Sequence, residues 1–206
     1  MKIIKSLLLV MALLLSNVSS ASLMLWLDPA EQPGSTGDDI TLTLMAGGLD
    51  AGGPVSLGAF DLDILFDPSV LSFTGYTFFD GLGDLLFFEA LDFSVGEYAP
   101  GAVGLSEVSL LPPGVLDATQ PAEFALAELT FHIDLLDAAD FTIVSISPSV
   151  GGFFPPFSDS LGLAIDPVAM RSALIGTPPT VPEPASFVLL SLALALVAVR
   201  KKLKLG

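Results

Sequence analysis

The sequence has no cysteine, a single histidine (His132), and only 7 lysines and arginines against 23 aspartates and glutamates. Without cysteine there is no disulfide scaffold, no thiolate metal site and no cysteine nucleophile. One histidine cannot build a cluster of imidazole ligands. The cations are also segregated: Lys2, Lys5, Arg200, Lys201, Lys202 and Lys204 all lie near the two ends. Between residues 22 and 180, Arg171 stands alone among 22 carboxylates, a net charge of −21. Phosphate contacts need Lys and Arg, so nucleic acid is excluded as a partner of this segment. Anionic lipid surfaces are disfavoured on the same ground. The surface cannot be knitted by salt bridges and must tolerate self-repulsion, screened by salt.

Both ends of the 206-residue chain are apolar and flanked by cations. Residues 1–21 read as a secretory signal: Lys2 and Lys5, an apolar run from Leu7 to Leu15, then small residues up to Ala21. Cleavage after Ser20 or after Ala21 both fit. An uncleaved anchor helix is disfavoured because the run is short for a span of about 20 residues. The other end has three parts in order: Pro182-Glu183-Pro184, an apolar run from Ala185 to Val199, and the basic cluster Arg200, Lys201 and Lys202. As a helix the run reaches about 22 Å at 1.5 Å per residue, and snorkelling cations extend it. The basic cluster sets topology, since it stays cytoplasmic while the middle lies outside. The prolines lock an extended backbone, which presents a peptide bond to a protease.

The middle alternates with a period of two. Ile40–Leu44, Phe60–Phe66 and Leu129–Leu135 each place apolar side chains on one face. Further strands are expected at 23–27, 70–78, 85–88, 103–110, 141–147 and 161–170. Near Ala127-Glu128 the parity slips, which signals a bulge or a helical turn before the strand. Turn signals such as Gly52-Gly53-Pro54, Asp67-Pro68 and Pro112-Pro113-Gly114 separate the runs. Eight or nine short strands argue for an all-β, antiparallel sandwich. The organisation read from this is a signal at 1–21, one sandwich domain at 22–175, a Pro-rich linker at 176–184, and a transmembrane helix with basic tail at 185–206.

The C-terminal arrangement of Pro182, Glu183, Pro184, apolar segment and Arg200-Lys201-Lys202 resembles the PEP-CTERM sorting signal of Gram-negative bacteria. That resemblance implies an exosortase-type membrane peptidase as partner, transient residence in the inner membrane, and delivery to the cell surface of bacteria that make exopolysaccharide. Residues 58–73, from Gly58 through Asp67-Pro68 to Phe73, resemble the early strand–turn–strand of cohesin-like domains. Residues 125–133 resemble the matching late strand. This second resemblance implies a jelly-roll sandwich, related in shape to carbohydrate-binding modules, with a binding or scaffolding role.

Catalytic constellations are weak. His132 shares a face with Thr130 and Asp134 and is expected at the surface. No nucleophile-elbow pattern is present. Asp61 and Asp63 lie about 6.8 Å apart along one strand face, at 3.4 Å per residue, a spacing open to glycosidase chemistry. Any acidic alternating strand produces the same spacing. No cofactor is expected; a structural calcium ion is the metal reading, with Asp61, Asp63 and Asp67, or Asp28, Asp38 and Asp39, as candidate ligands, since calcium takes carboxylate oxygens. The aromatic clusters at 76–79 and 151–157 cap a core or stack on sugars. The expectation is an exported, non-enzymatic surface or matrix protein, with exopolysaccharide or another surface protein as partner. The alternatives are a permanently anchored adhesin or carbohydrate-binding module, and a secreted glycan-active hydrolase.

Overall fold

A computed structural model of the chain describes residues 23–49, 54–137, 140–149, 155–166 and 168–177. The expected signal at 1–21 and the tail with Pro182, Glu183, Pro184, Arg200, Lys201 and Lys202 lie outside these described residues. Within them run β1 (Met24–Asp28), β2 (Glu31–Gln32), β3 (Asp39–Gly47), β4 (Ala59–Leu65), β5 (Leu71–Phe78), β6 (Ala90–Asp92), β7 (Gly96–Ala99) and β8 (Ala102–Ser109). Then come α1 (Pro113–Thr119), β9 (Glu123–Ile133), β10 (Phe141–Pro148), β11 (Phe157–Ser158), β12 (Ala169–Arg171) and β13 (Ala173–Gly176). Among the described residues no helix is long and apolar enough to cross a membrane.

The strands form two sheets. The first has the order β12-β1-β3-β9-β5; the second runs β2-β13-β10-β4-β8-β6, with β7 also on β8 and β11 on β4. Their inner faces are the apolar rows expected from the alternation. Ile40, Leu42 and Leu44 of β3 and Leu129, Phe131 and Ile133 of β9 meet Phe60, Leu62 and Ile64 of β4 and Val103 and Leu105 of β8 in one core. Each such side chain contributes about 1.5–3 kcal/mol when fully buried. The rings of Phe66 and Phe73 meet the fully buried Phe131 edge-on, with centroids 5.3 and 5.5 Å away.

The parity slip in β9 is a bulge. Leu44 pairs with Ala127 and Met45 with Ala125, so Leu126 is the extra residue, and both Leu126 and Ala127 are buried. Two expected strands are turns instead. At 85–88 the Asp84 carboxylate accepts from the Leu86 N–H, and the Glu89 N–H donates to the Asp84 carbonyl. The chain therefore turns, and pairing resumes only at Ala90. At 161–170 the Asp159 carboxylate takes the N–H groups of both Leu161 and Leu163, which leaves only Ala169–Arg171 as strand. Both errors share a cause: a short apolar run has no period, so a local Asp that captures backbone donors decides its fate. Pairing is antiparallel except at two edges, where β1–β12 and β13–β2 run parallel. The last strand reaches Gly176, one residue past the expected domain end.

Candidate binding face

The outward residues of the second sheet form the candidate site. On β4 they are Asp61, Asp63 and Leu65, because Phe60, Leu62 and Ile64 take the core side. On β8 they are Ala102, Gly104 and Ser106, opposite Leu65, Asp63 and Asp61 respectively. On β10, Ser145 and Ser147 stand opposite Leu65 and Asp63. The edge supplies Val95 and Tyr98, which lie over Gly104; a Cβ there would come within 2.6 Å of Val95 Cγ2 and 3.5 Å of Tyr98 Cδ1. One transverse row thus reads Ser147, Asp63, Gly104, Gly96, with the Tyr98 ring leaning diagonally over Gly104.

Among the described residues this face is half-buried, small-residued at its centre and acidic. Tyr98 donates a hydrogen bond to Asp63. Partial desolvation holds the Asp63 carboxyl above its ordinary value; the Tyr98 hydrogen bond opposes this, and the charge of Asp61 adds to it. Tyr98 is raised in turn, first by desolvation and then by the Asp63 charge. Exposed Ile143 and Phe141 border the face on the β10 side. A small cleft lined by Gly58, Leu111, Leu116, Asp159 and Ser160 lies elsewhere, beside α1.

Neither expected metal trio comes together. Asp61 and Asp63 are neighbours on the sheet, but Asp67 turns its Oδ1 to the N–H of Ser69 at 2.9 Å and its hydroxyl at 2.6 Å. Among the described residues no group of three histidines or carboxylates is placed to hold a metal ion. His132 is at the surface, as its parity predicts, and its Nδ1 lies 2.7 Å from Asp39 Oδ1 on the neighbouring strand. That contact, with the charges of Asp39 and Asp134, raises the imidazole above its usual value. Of the aromatic clusters, Tyr76 and Phe78 pack against each other at 5.1 Å, and Phe157 is buried against β4.

Two features escape the sequence reading. Leu86, Phe87 and Phe88 project from the turn before β6 at 87%, 77% and 74% exposure. Glu107 sits on the core side of β8 with no exposed surface. Its signal was available: it shares parity with Val103 and Leu105.

Comparison with known proteins bears on both parts of the chain. Residues 180–202 match the PEP-CTERM protein-sorting motif. No curated protein matches the sequence. In solved structures the sandwich is similar to the second type II cohesin module of the adaptor scaffoldin ScaA of Acetivibrio cellulolyticus. The TM-score is 0.57 at 14% identity, covering 82% of this chain and 97% of that one. It is also similar to the cohesin CaCohA2 of Clostridium acetobutylicum, with TM-score 0.55 and 18% identity over 80% and 96% of the two chains. A third is the OlpA cohesin of Clostridium thermocellum, solved in a type I cohesin–dockerin complex, with TM-score 0.56 and 9% identity over 75% and 98%. The chain is therefore a cohesin-like β-sandwich followed by a PEP-CTERM sorting motif.

Proposed function

We propose that this is an exported, non-catalytic surface protein whose sandwich docks a partner protein on the outer face of the second sheet. The observation that carries the reading is the union of a sorting motif at 180–202 with a cohesin-like sandwich. The face built by Asp61, Asp63, Ser106, Ser147 and Tyr98 supports it, because it holds partly exposed hydrogen-bonding groups on a paired sheet. With a net charge of −21 behind it, the complementary surface is one that brings Lys or Arg to Asp61 and Asp63. A dockerin-like protein is the partner class, and the exopolysaccharide matrix is the setting in which the pair would work.

On this reading an exosortase-type peptidase recognises Pro182, Glu183 and Pro184 and cuts at or near them, while Arg200, Lys201 and Lys202 hold the tail in the cytoplasmic leaflet beforehand. Mass spectrometry of the surface-extracted protein tests the processing. The expected mature chain ends near Pro184, and Glu183→Ala accumulates the uncut form in the inner membrane. A mature chain that still ends at Gly206 would replace transient residence by permanent anchoring.

A further inference from the structure

Glu107 is fully buried, and neither of its carboxyl oxygens has a hydrogen-bond partner. It points into the sandwich beside Val103 and Leu105 on β8. Its cross-strand neighbour on β6 is Asp92. Directly paired residues on one sheet face bring their Cβ atoms to about 5 Å, where like charges are destabilising.

The two carboxyls are treated differently. Asp92 is satisfied by donors: its Oδ2 accepts from the Tyr76 hydroxyl at 2.8 Å and its Oδ1 from the Ser94 N–H at 2.7 Å. Glu107 receives no donor at all. The groups that face it are Asp92 from β6, Asp80 from the turn after β5, and Tyr76, which reaches across from β5 to Asp92. On its other side β4 presents Phe60, itself packed edge-on against Phe78 at 5.8 Å. Among the described residues no cation offsets these charges. Arg171, the lone basic residue of the exported body, is on β12, at the opposite edge of the first sheet from β5. A charged carboxylate in that place would have no compensation, so the folded edge holds Glu107 protonated.

We propose that Glu107 is a proton-controlled latch on the β6–β7 edge: protonated, it lets this edge close over the core, and ionised, it is driven to solvent and releases the edge from β8. Burial, then Asp92, then Asp80, push the Glu107 carboxyl up to about 8, so the closed edge loses stability as pH climbs from the ordinary glutamate range and the loss is complete once pH passes that value. The edge is suited to such release. Past β6 the regular ladder gives way at residues 93–95, where the Phe93 N–H donates to the Ser106 carbonyl and the Ser94 hydroxyl oxygen accepts from the Ser106 N–H, and the pairing of β7 shifts register between Glu97 and Ala99. Because β7 and the segment before it bring Tyr98 and Val95 to the candidate face, opening would also disassemble one side of that face. This consequence rests on the docking function proposed above; the latch does not.

Amide hydrogen exchange on the full chain in a non-ionic detergent tests the latch without any partner. Rates are corrected for the intrinsic effect of pH. Between pH 7 and pH 9 the protection of residues 90–99 should fall about tenfold, as expected for one group titrating near 8, while β3 and β9 keep theirs. Glu107→Gln and the apolar Glu107→Leu should each abolish the fall. A protonated-carboxyl infrared band at pH 7, lost in Glu107→Gln, should accompany it. Undiminished protection at pH 9 in the wild type, or the same loss in both variants, would overturn the latch and leave the docking reading untouched.

Discussion

Gly104 on β8 lies directly opposite Asp63 on β4, and the space its missing side chain leaves is occupied by Val95 and Tyr98. A glycine inside a strand ordinarily weakens it; here it lets the edge fold down and lets a phenol reach a carboxylate. Gly104→Leu should displace Val95, separate Tyr98 from Asp63 and cost about 1–3 kcal/mol, the usual range for overfilling a packed spot. Thermal unfolding reads the loss. A spectrophotometric tyrosine titration should show Tyr98 returning toward its ordinary value, since part of its elevation comes from Asp63. An unchanged titration would mean that the ring keeps its place without the glycine.

Gln120 closes α1 and stitches two loops to it. Its Oε1 accepts from the Leu57 N–H at 2.6 Å, and its Nε2 donates to the carbonyls of Leu57 at 3.0 Å and Gly81 at 2.9 Å. The side chain is buried, so removing it strands one backbone donor and two acceptors away from water. Gln120→Leu should keep the volume yet lose about 2–4 kcal/mol, at roughly 1–3 kcal/mol for each group left unsatisfied and with partial relief by water. Urea unfolding measures this. A loss below that of an ordinary surface substitution would show that water replaces the amide.

The contrast between these two sites explains what the sequence discloses. The core rows of β3, β4 and β9 were legible because their alternation reports one buried face, and even the bulge at Leu126 was visible as a break in parity. The outward position of Asp61, Asp63 and His132 followed from the same count. The contribution of Gln120 did not, because nothing local announces that a helix end will meet residues 57 and 81. Nor did the composition of the binding face, which depends on β10, β4, β8 and β7 being neighbours in space while lying far apart in the chain. The turn at 85–88 was misread because a tight run of leucine and phenylalanine looks apolar whichever way it points.

That turn carries its own prediction. Phe88 has a φ of 57°, in the left-handed region where a side chain is strained and glycine is not. Its side chain is largely exposed, so little packing is lost on removing it. Phe88→Gly should therefore raise stability by about 1 kcal/mol, the lower end of the cost of holding a non-glycine residue there. Phe88→Ala, which keeps the Cβ, should not. Thermal melts of the two variants side by side decide the matter; equal melts would assign the effect to the lost ring and not to the backbone.

The His132–Asp39 pair makes a pH prediction with a definite sign. The contact with Asp39 raises the imidazole above its unfolded value. The folded state therefore binds this proton more tightly than the unfolded one. The stabilisation is complete below the unfolded value of about 6.5 and is lost as pH rises through the higher folded value. With one histidine in the chain, its ring resonances are unambiguous in an NMR titration. Asp39→Asn should move the midpoint down toward about 6.5, whereas Asp134→Asn should move it less, because Asp134 acts through charge alone. An unmoved midpoint in Asp39→Asn would show that the general negative field of the domain, and not this contact, holds the proton.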